Sequence, residues 1–598
     1  MINLNKYLSQ IRSYFGFYYQ YIGFGILKLF LLSSLVGLMD GLGLAMFIPL
    51  IEISANPEEA GNLELGKFGW LLQLVKSIGL ELNLGIIFAV ILAFFLLKGL
   101  GKFFQMVLLV KYISSMVRTI KLSNAKGLSE LNYVEFTKMD LGQMQNLLTQ
   151  ETTKTVSSFK FFSAILQGLG LLIAYLTLAF VSTPQFAVII LFAGAFLQLL
   201  FLGVFKRIKN VSTQIVGSHN SHFTLILQML VNLKYLIATS AAYGYFEMIR
   251  NNTITLEKQN VKIGMMQAFT VSIREPLIIA VVIAAVGIQF TFFETELSQI
   301  ALSLLFFYRG LNAASGLQAA FANFQGVAGS LQNMQHYQKE IESKRRKGGA
   351  VVFEGLKTGI RFKEVSFAYG KKEVLHKINL DIQKNQTVAI VGESGSGKTT
   401  LMNILSLLLP PSSGQLLIDG EDAVRLDPAT FQRKIGYITQ DPVIFQGTIF
   451  ENVSLWGDPS PENLEKCWEA LRAAEIADFV QQQPADLQTL VGSNGMSLSG
   501  GQKQRISIAR EIYKKPELLL MDEATSSLDS TTEQAIQTSL NKLKGKHTIV
   551  IIAHRLSTVR NADKIVFVQN GAIDESGTFQ TLIQNNTDFK KMVELQHL

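Results

Sequence analysis

"GESGSGKTT", residues 392–400, decides how the C-terminal part of this chain reads. It fits the spacing G-x-x-x-x-G-K-[ST]. The apolar run "TVAIV" precedes it and "TLMNILSLL" continues from it, so the pattern predicts a buried strand, a tight loop and a helix. In that setting glycines let backbone N–H groups converge on phosphate oxygens, and the helix adds its positive end. Gly392, Glu393, Ser394, Gly395, Ser396, Gly397, Lys398, Thr399 and Thr400 are therefore expected to cradle a nucleotide's phosphates. Lys398 is expected to reach the β- and γ-phosphates, and Thr399 to offer its hydroxyl to Mg2+. A plain glycine-rich turn is the competing reading; the strand and helix on either side argue against it.

Further on, "ELLLMDE", residues 517–523, is an apolar strand ending in two acids. Asp522 is placed to hold Mg2+ through water, and Glu523 to act as the general base that orients an attacking water. Between loop and acids lies "LSGGQKQR", residues 498–505. With that stretch the chain resembles the ATP-binding cassette transporters, in the exporter arrangement of a membrane domain fused to a C-terminal cassette. The resemblance implies a role for further residues. Tyr369 in "SFAYG" stacks on adenine, and Gln440 in "YITQD" is the Q-loop glutamine. Ser499, Gly500, Gly501 and Gln502 form the signature, Asp529 in "SSLD" the D-loop, and His554 in "IIAHR" the switch histidine. The implied catalytic set is Glu523, His554 and Gln440. The cofactors are ATP and Mg2+, the latter held by Thr399, Gln440 and Asp522. In this family two cassettes sandwich two nucleotides, the loop of one facing the signature of the other. One chain with one of each thus implies a second copy of itself, or a related half-transporter. "VGSNG", residues 491–495, departs from the family pattern: Ser493 and Asn494 stand where an acid is usual.

The rest of the composition belongs to lipid. Hydrophobic residues make up 48% of 598, charged ones only 17%, and the mean hydropathy is +0.28. A soluble enzyme is more polar than that. The net charge of +8 is not gathered into a basic block, so no nucleic-acid partner is expected. The single cysteine, Cys467, excludes an intramolecular disulfide and a cysteine metal cluster. The opening "MINLNKYLSQIRSYFGFYYQYIG" reads as an amphipathic helix along the inner membrane face rather than a removable signal. Six stretches are long enough to span, at roughly 23–50, 84–110, 158–182, 185–205, 266–292 and 297–325. The expected fold is an α-helical six-span domain over 1–335 with long cytoplasmic helical extensions. A charged linker over 336–350 follows, and then an α/β P-loop NTPase cassette over 351–598. Lys and Arg gather after the second and fourth spans, which puts both termini and the cassette on the cytoplasmic side of the inner (plasma) membrane. "LNYVEFTKMDLGQ", 131–143, and "LQMLVNLKYLIATS", 227–240, resemble the family's two coupling-helix regions. "KFGWLLQLVKSIGL", 67–80, has one apolar face and is expected to lie on the outer bilayer surface.

The cargo is read from charge. Asp40, Lys98 and Arg309 fall inside spans, where charge is costly and usually functional. Each lies about 20 Å from the outer end of its span, so the three can share one layer. An Asp40–Lys98 pair that merely fixes helix register is the alternative. Arg309 opens a row of polar or small residues with Asn312, Gly316, Ala319 and Asn323, the mark of a helix facing a cavity or a close neighbour. "LMDGLGLAMFIPLIEI" resembles lipid-linked oligosaccharide flippases. The expected partners are membrane lipids and a lipid-like substrate. A multidrug or peptide exporter, and an ATP-gated regulator without transport, are the alternatives.

Overall fold

The computed structural model describes residues 4–47, 84–182, 184–292, 297–346, 348–492, 498–522, 541–553 and 559–596, with Gln73, Ser77, Gln534, Thr538 and Arg555. The chain forms two compact units: residues 1–131 with 138–345, and residues 132–137 with 346–598. Apart from Gln73 and Ser77, the expected outer-surface helix at 67–80 lies outside the described residues.

The first unit is helical: α1 (Leu4–Ile22), α2 (Gly25–Ala45), α3 (Leu84–Ser129), α5 (Leu141–Asn146), a π turn (Leu147–Glu151), α6 (Thr152–Ser182), α7 (Pro184–Val231), α8 (Leu233–Ala238), α9 (Ala242–Phe292) and α10 (Leu297–Ser343). Between α3 and α5, α4 (Tyr133–Thr137) belongs to the second unit. Among the described residues, Gly25–Ala45, Leu84–Ser129 and the run Leu141–Val181 are long and apolar enough to cross a membrane. The other expected spans fall on α7, α9 and α10, whose side chains lie partly outside the described residues. With 46 residues, α3 is about 69 Å long, more than twice a hydrocarbon core of about 30 Å, so it must project well beyond the bilayer.

Small residues let these helices approach. A Cβ on Gly41 of α2 would meet Leu178 of α6 at 2.0 Å, and one on Gly37 would meet Ala174 at 2.9 Å. α1 buries Tyr14, Phe17 and Tyr18 in an aromatic and aliphatic core shared with Phe159 of α6 and Phe324 and Leu331 of α10. Phe15 and Tyr19 remain exposed on its other face, as an amphipathic helix requires. The stretch expected to be a linker at 336–350 is helical as far as Ser343. Its charges close on one another at helical spacing, Lys344 on Glu340 at 2.6 Å and Arg345 on Glu342 at 3.0 Å. Composition alone makes such a stretch look like loop.

Among the described residues the second unit holds two larger sheets and a short antiparallel pairing of Gly447–Thr448 with Leu490–Val491. β1 (Gly359–Tyr369), β2 (Lys372–Gln383), β4 (Ser413–Ile418) and β5 (Glu421–Asp422) form an antiparallel sheet in the order β2-β1-β4-β5. β3 (Thr387–Val391), β6 (Ile435–Ile438), β7 (Leu518–Asp522), β8 (Thr548–Ile552), β9 (Lys564–Gln569) and β10 (Ala572–Gly577) form the other, ordered β10-β9-β3-β8-β7-β6. It is parallel from β9 to β6, with β10 antiparallel at the edge. All five residues of β3 and of β8 are buried, the signature of strands covered on both faces. Val388 and Ile390 enter one apolar core, Ala389 and Val391 the other, by the two-residue alternation of a strand. Because the strands are parallel, their C-terminal ends gather along one edge, where a doubly covered sheet places its ligands.

Candidate functional site

The loop at 392–397 leaves that edge from β3. Gly392, at φ 151°, has no room for a side chain: a Cβ would meet the Val568 carbonyl at 2.1 Å. Gly397 sits at φ 102° as the cap of α11 (Lys398–Leu405), and a Cβ there would meet Leu375 at 2.7 Å. Both positions therefore demand glycine. Lys398 is buried, and its ammonium donates to the carbonyls of Gly392 at 2.9 Å and Glu393 at 2.8 Å. The cation is thus held over the mouth of the loop. Beside it the Ser396 hydroxyl is buried without a partner. A phosphate oxygen is the acceptor that would satisfy it, so the loop fits the group expected there.

Sheet register brings the remaining groups to the same edge. β8 lies between β3 and β7, with Ile552 opposite both Ile390 and Asp522. Asp522 ends β7, and Gln440 follows the end of β6 by two residues. The carboxylate of Asp522 is near enough to act on Tyr437, whose hydroxyl is pushed above its ordinary range by burial and then by that charge. Tyr369, at the end of β1, is half exposed and packs edge-on against Phe367 with centroids 4.9 Å apart. Glu523, Asp529 and His554, with Ser493 and Asn494, lie outside the described residues.

The signature opens α14, which runs from Gly500 to Tyr513 after α12 (Ile449–Ser454) and α13 (Pro461–Ala473). Ser499 Oγ accepts from the Gln502 N–H at 3.3 Å, and Gln502 Oε1 accepts from the Ser499 N–H at 2.8 Å. This reciprocal cap fixes Gly500 and Gly501 in the first turn, with their N–H groups at the helix's positive end. Arg510, which the sequence motifs did not flag, anchors the other half of α14. Its guanidinium donates to Asn452 O at 2.6 Å and Val443 O at 2.7 Å, and lies 5.2 Å from the Phe445 ring centre. It thereby ties the segment just after Gln440 to the signature helix. An arginine on the apolar face of that helix was the available signal.

In the membrane unit, Asp40 is 3% exposed and its carboxylate meets Lys98 Nζ at 2.5 Å. The Tyr175 hydroxyl of α6 donates to the other carboxylate oxygen. Arg309 of α10 is half-buried and close enough for its charge to act at Tyr175. Asp40 thus joins Lys98 and Tyr175, and Arg309 acts on the same tyrosine, a residue that sequence reasoning did not include. Along α10, Asn312 and Gly316 are exposed and Arg309, Ala319 and Asn323 partly so.

Comparison with known proteins decides the family. The ABC transporter family model matches residues 375–526. The heterocyst differentiation ATP-binding protein HepA of Nostoc sp. is 31% identical over 476 residues, covering 79% of this chain and 77% of that one. The chain belongs to the ABC transporter family. An ATP-dependent lipid A-core flippase of Haemophilus influenzae is 27% identical over 522 residues, covering 85% and 87% of the two chains. A solved bacterial Atm1-family ABC exporter with ATP bound superimposes with a TM-score of 0.79, at 21% identity, over 96% of this chain and 98% of that one. The ABC transporter described here is therefore a multi-pass membrane protein of exporter fold, whose cassette binds ATP and couples its hydrolysis to transport.

Proposed function

We propose that this ABC transporter is a homodimeric six-span flippase. It moves an amphipathic anionic substrate, a lipid-linked oligosaccharide or related lipid, across the inner membrane by alternating access, with termini and cassettes in the cytoplasm. The observation that carries the cargo reading is the partly exposed row of polar and small residues on α10, headed by Arg309 near the Asp40–Lys98–Tyr175 cluster. Asp40 is neutralised by Lys98 and Tyr175, which leaves the Arg309 guanidinium as the group suited to a phosphate-bearing headgroup. The flippase relative aligned over most of the chain is consistent with lipid cargo.

At each cassette, Lys398 and the loop N–H groups hold the phosphates, and Tyr369 stacks on adenine. Glu523 takes a proton from the attacking water, with His554 and Gln440 positioning it. Thr399, Gln440 and Asp522 supply the hard oxygen donors that suit Mg2+, which neutralises phosphate charge when bound. Ser499, Gly500, Gly501, Gln502 and Asp529 act on the nucleotide held by the second copy.

The test is a flipping assay with the purified protein in liposomes, comparing lipid-linked sugars with plain phospholipids. ATP-dependent movement of the sugar-linked lipid is expected. If neither lipid moves while a drug or peptide is exported at an unchanged ATPase rate, the cargo reading gives way to multidrug or peptide export.

A further inference from the structure

Glutamines recur every three residues on α10, as Gln332, Gln335 and Gln338, and so fall along one side of that helix. Each turns to α1. Gln332 Nε2 donates to the Tyr14 hydroxyl and Gln338 Nε2 to the Tyr21 hydroxyl, both at 3.0 Å. Gln335 makes only long contacts with Ser13, at 3.5 Å. α10 also closes on α3, where a Cβ on Gly127 would meet Ile341 at 2.7 Å. Between these three helices is an open cavity of about 490 Å3, within the size range of small-molecule sites.

The lining is polar, unlike that of most such sites. Asn124 of α3 contributes to it although the residue is only 2% exposed. The one hydrogen bond its side chain makes among the described residues runs from Nδ2 to the Met334 sulfur at 3.6 Å, and a thioether is a weak acceptor. A buried amide so poorly matched calls for a partner inside the cavity. Gln20 and Ser123 line the same cavity, exposed and without a side-chain hydrogen bond among the described residues. Charge is nearly cancelled. Glu342 is held by Arg345 at 3.0 Å and Arg345 also reaches Glu130 at 3.4 Å, which leaves Lys339 as the uncompensated charge of the lining. One lysine does not suit a nucleotide or another polyanion. Amides and hydroxyls, each able to donate and accept, suit a neutral ligand rich in hydroxyls. Phe17 and Tyr21, with ring centres 5.1 Å apart, add an apolar wall for the C–H face of a sugar ring.

The place of the cavity narrows the source of such a ligand. The spans on α3 and α10 are expected to end near residues 110 and 325. Ser123 lies 13 residues beyond the first and Gln335 10 residues beyond the second, which at 1.5 Å per residue is about 20 and about 15 Å. Two helices thus agree on a depth below the bilayer surface. A phospholipid headgroup stays at that surface, whereas a sugar chain carried on a lipid extends past it. We infer that this cavity is a saccharide site, which holds the far part of the substrate's sugar chain before translocation through Asn124, Gln20 and Ser123. The inference rests on the lipid-linked oligosaccharide reading above and adds a second contact to it, remote from Arg309.

Two measurements on the full-length protein separate the site from the flippase reading. The first needs no transport: saturation-transfer NMR on nanodiscs with maltotriose, chitotriose and inorganic phosphate as probes. A neutral trisaccharide should bind and phosphate should not. Asn124→Leu puts an apolar group of nearly the same size in place of the amide and should weaken sugar binding about tenfold. Gln20→Ala with Ser123→Ala changes exposed side chains only, and repeats the test should Asn124→Leu fail to fold. The second measurement is flipping in liposomes of lipid pyrophosphates that carry one sugar or a long chain. The parent's preference for the long chain should fall several-fold in the variants. Absence of trisaccharide binding, preferential binding of phosphate, or equal sugar binding by parent and variants overturns the site. A long-chain preference that survives in the variants overturns its part in holding the substrate. Sugar binding that the variants lose, in a parent that moves no lipid-linked sugar, supports the saccharide site and overturns the flippase reading instead.

Discussion

α4 and α8 are short helices of nearly equal length with opposite surroundings. α4 belongs to the cassette unit, where Val134 packs against its apolar core and Tyr133 lies near Tyr437. α8 belongs to the membrane unit and buries only Leu236. Tyr235 is 67% exposed and Ile237 64%, and Val231 and Tyr243 on either side are more exposed still. A cluster of exposed aromatic and aliphatic groups marks a surface made to be covered. Within its own unit α4 is packed against an apolar core, whereas α8 leaves most of its apolar side chains exposed within its own unit. The homodimer proposed above would supply the cassette of a second copy as the cover for α8.

The strongest way to sharpen that contrast is to trap the closed dimer. Glu523→Gln keeps size and hydrogen bonding but removes the base, so turnover should fall at least about 100-fold while ATP still binds. With Mg-ATP the trapped protein should run as a dimer, and a cysteine placed at Tyr235 should become protected from maleimide while one at Phe136 changes little. Equal labelling of Tyr235→Cys with and without nucleotide would break the pairing of α8 with a second cassette.

Next in size is the surface itself. Tyr235→Asp with Ile237→Asp introduces two charges where an apolar cover is expected, and desolvating each costs several kcal/mol. Transport should fall by about 100-fold, with ATP hydrolysis in detergent far less affected. Arg309→Ala should act differently. Losing a charge-assisted fork to phosphate should reduce flipping by about tenfold, with basal hydrolysis unchanged and Tyr235→Cys still protected by Mg-ATP. Arg309→Lys should restore only part of it. Loss of that protection in Arg309→Ala would make Arg309 structural rather than a cargo contact.

The same contrast separates what the sequence disclosed from what it hid. The nucleotide loop was legible because its chemistry is local. Strand, glycines, lysine and helix are contiguous, and the φ values at Gly392 and Gly397 are the ones the motif needs. The parallel strands were legible as unbroken apolar runs. Tyr175 was not, since one tyrosine inside "LIAYLTL" carries no mark until α2 places Asp40 against it. The π turn was also hidden. Its residues have ordinary helical character, and the extra residue is accommodated by packing of Leu147 and Glu151 against other helices. The charged end of α10 was misjudged as linker because its lysines, arginines and glutamates look solvated until their helical pairing is seen.

The smallest expected effect concerns the covered helix. Val134 is partly buried against the cassette core, so Val134→Ala removes two methyl groups of which only a fraction is shielded from water. At about 0.8 kcal/mol per fully buried CH2, the loss is about 1 kcal/mol. That is too little to unfold the cassette, and the nucleotide loop lies elsewhere on the sheet, so ATP affinity should not change. The lost contact should instead appear as faster amide exchange across Tyr133–Thr137 and a several-fold drop in transport per ATP hydrolysed. A fall in ATP affinity with no change in exchange at α4 would show that Val134 serves the cassette's interior rather than the docking of this helix. Transport and exchange both at parental values would mean that the rest of α4 holds the contact without it.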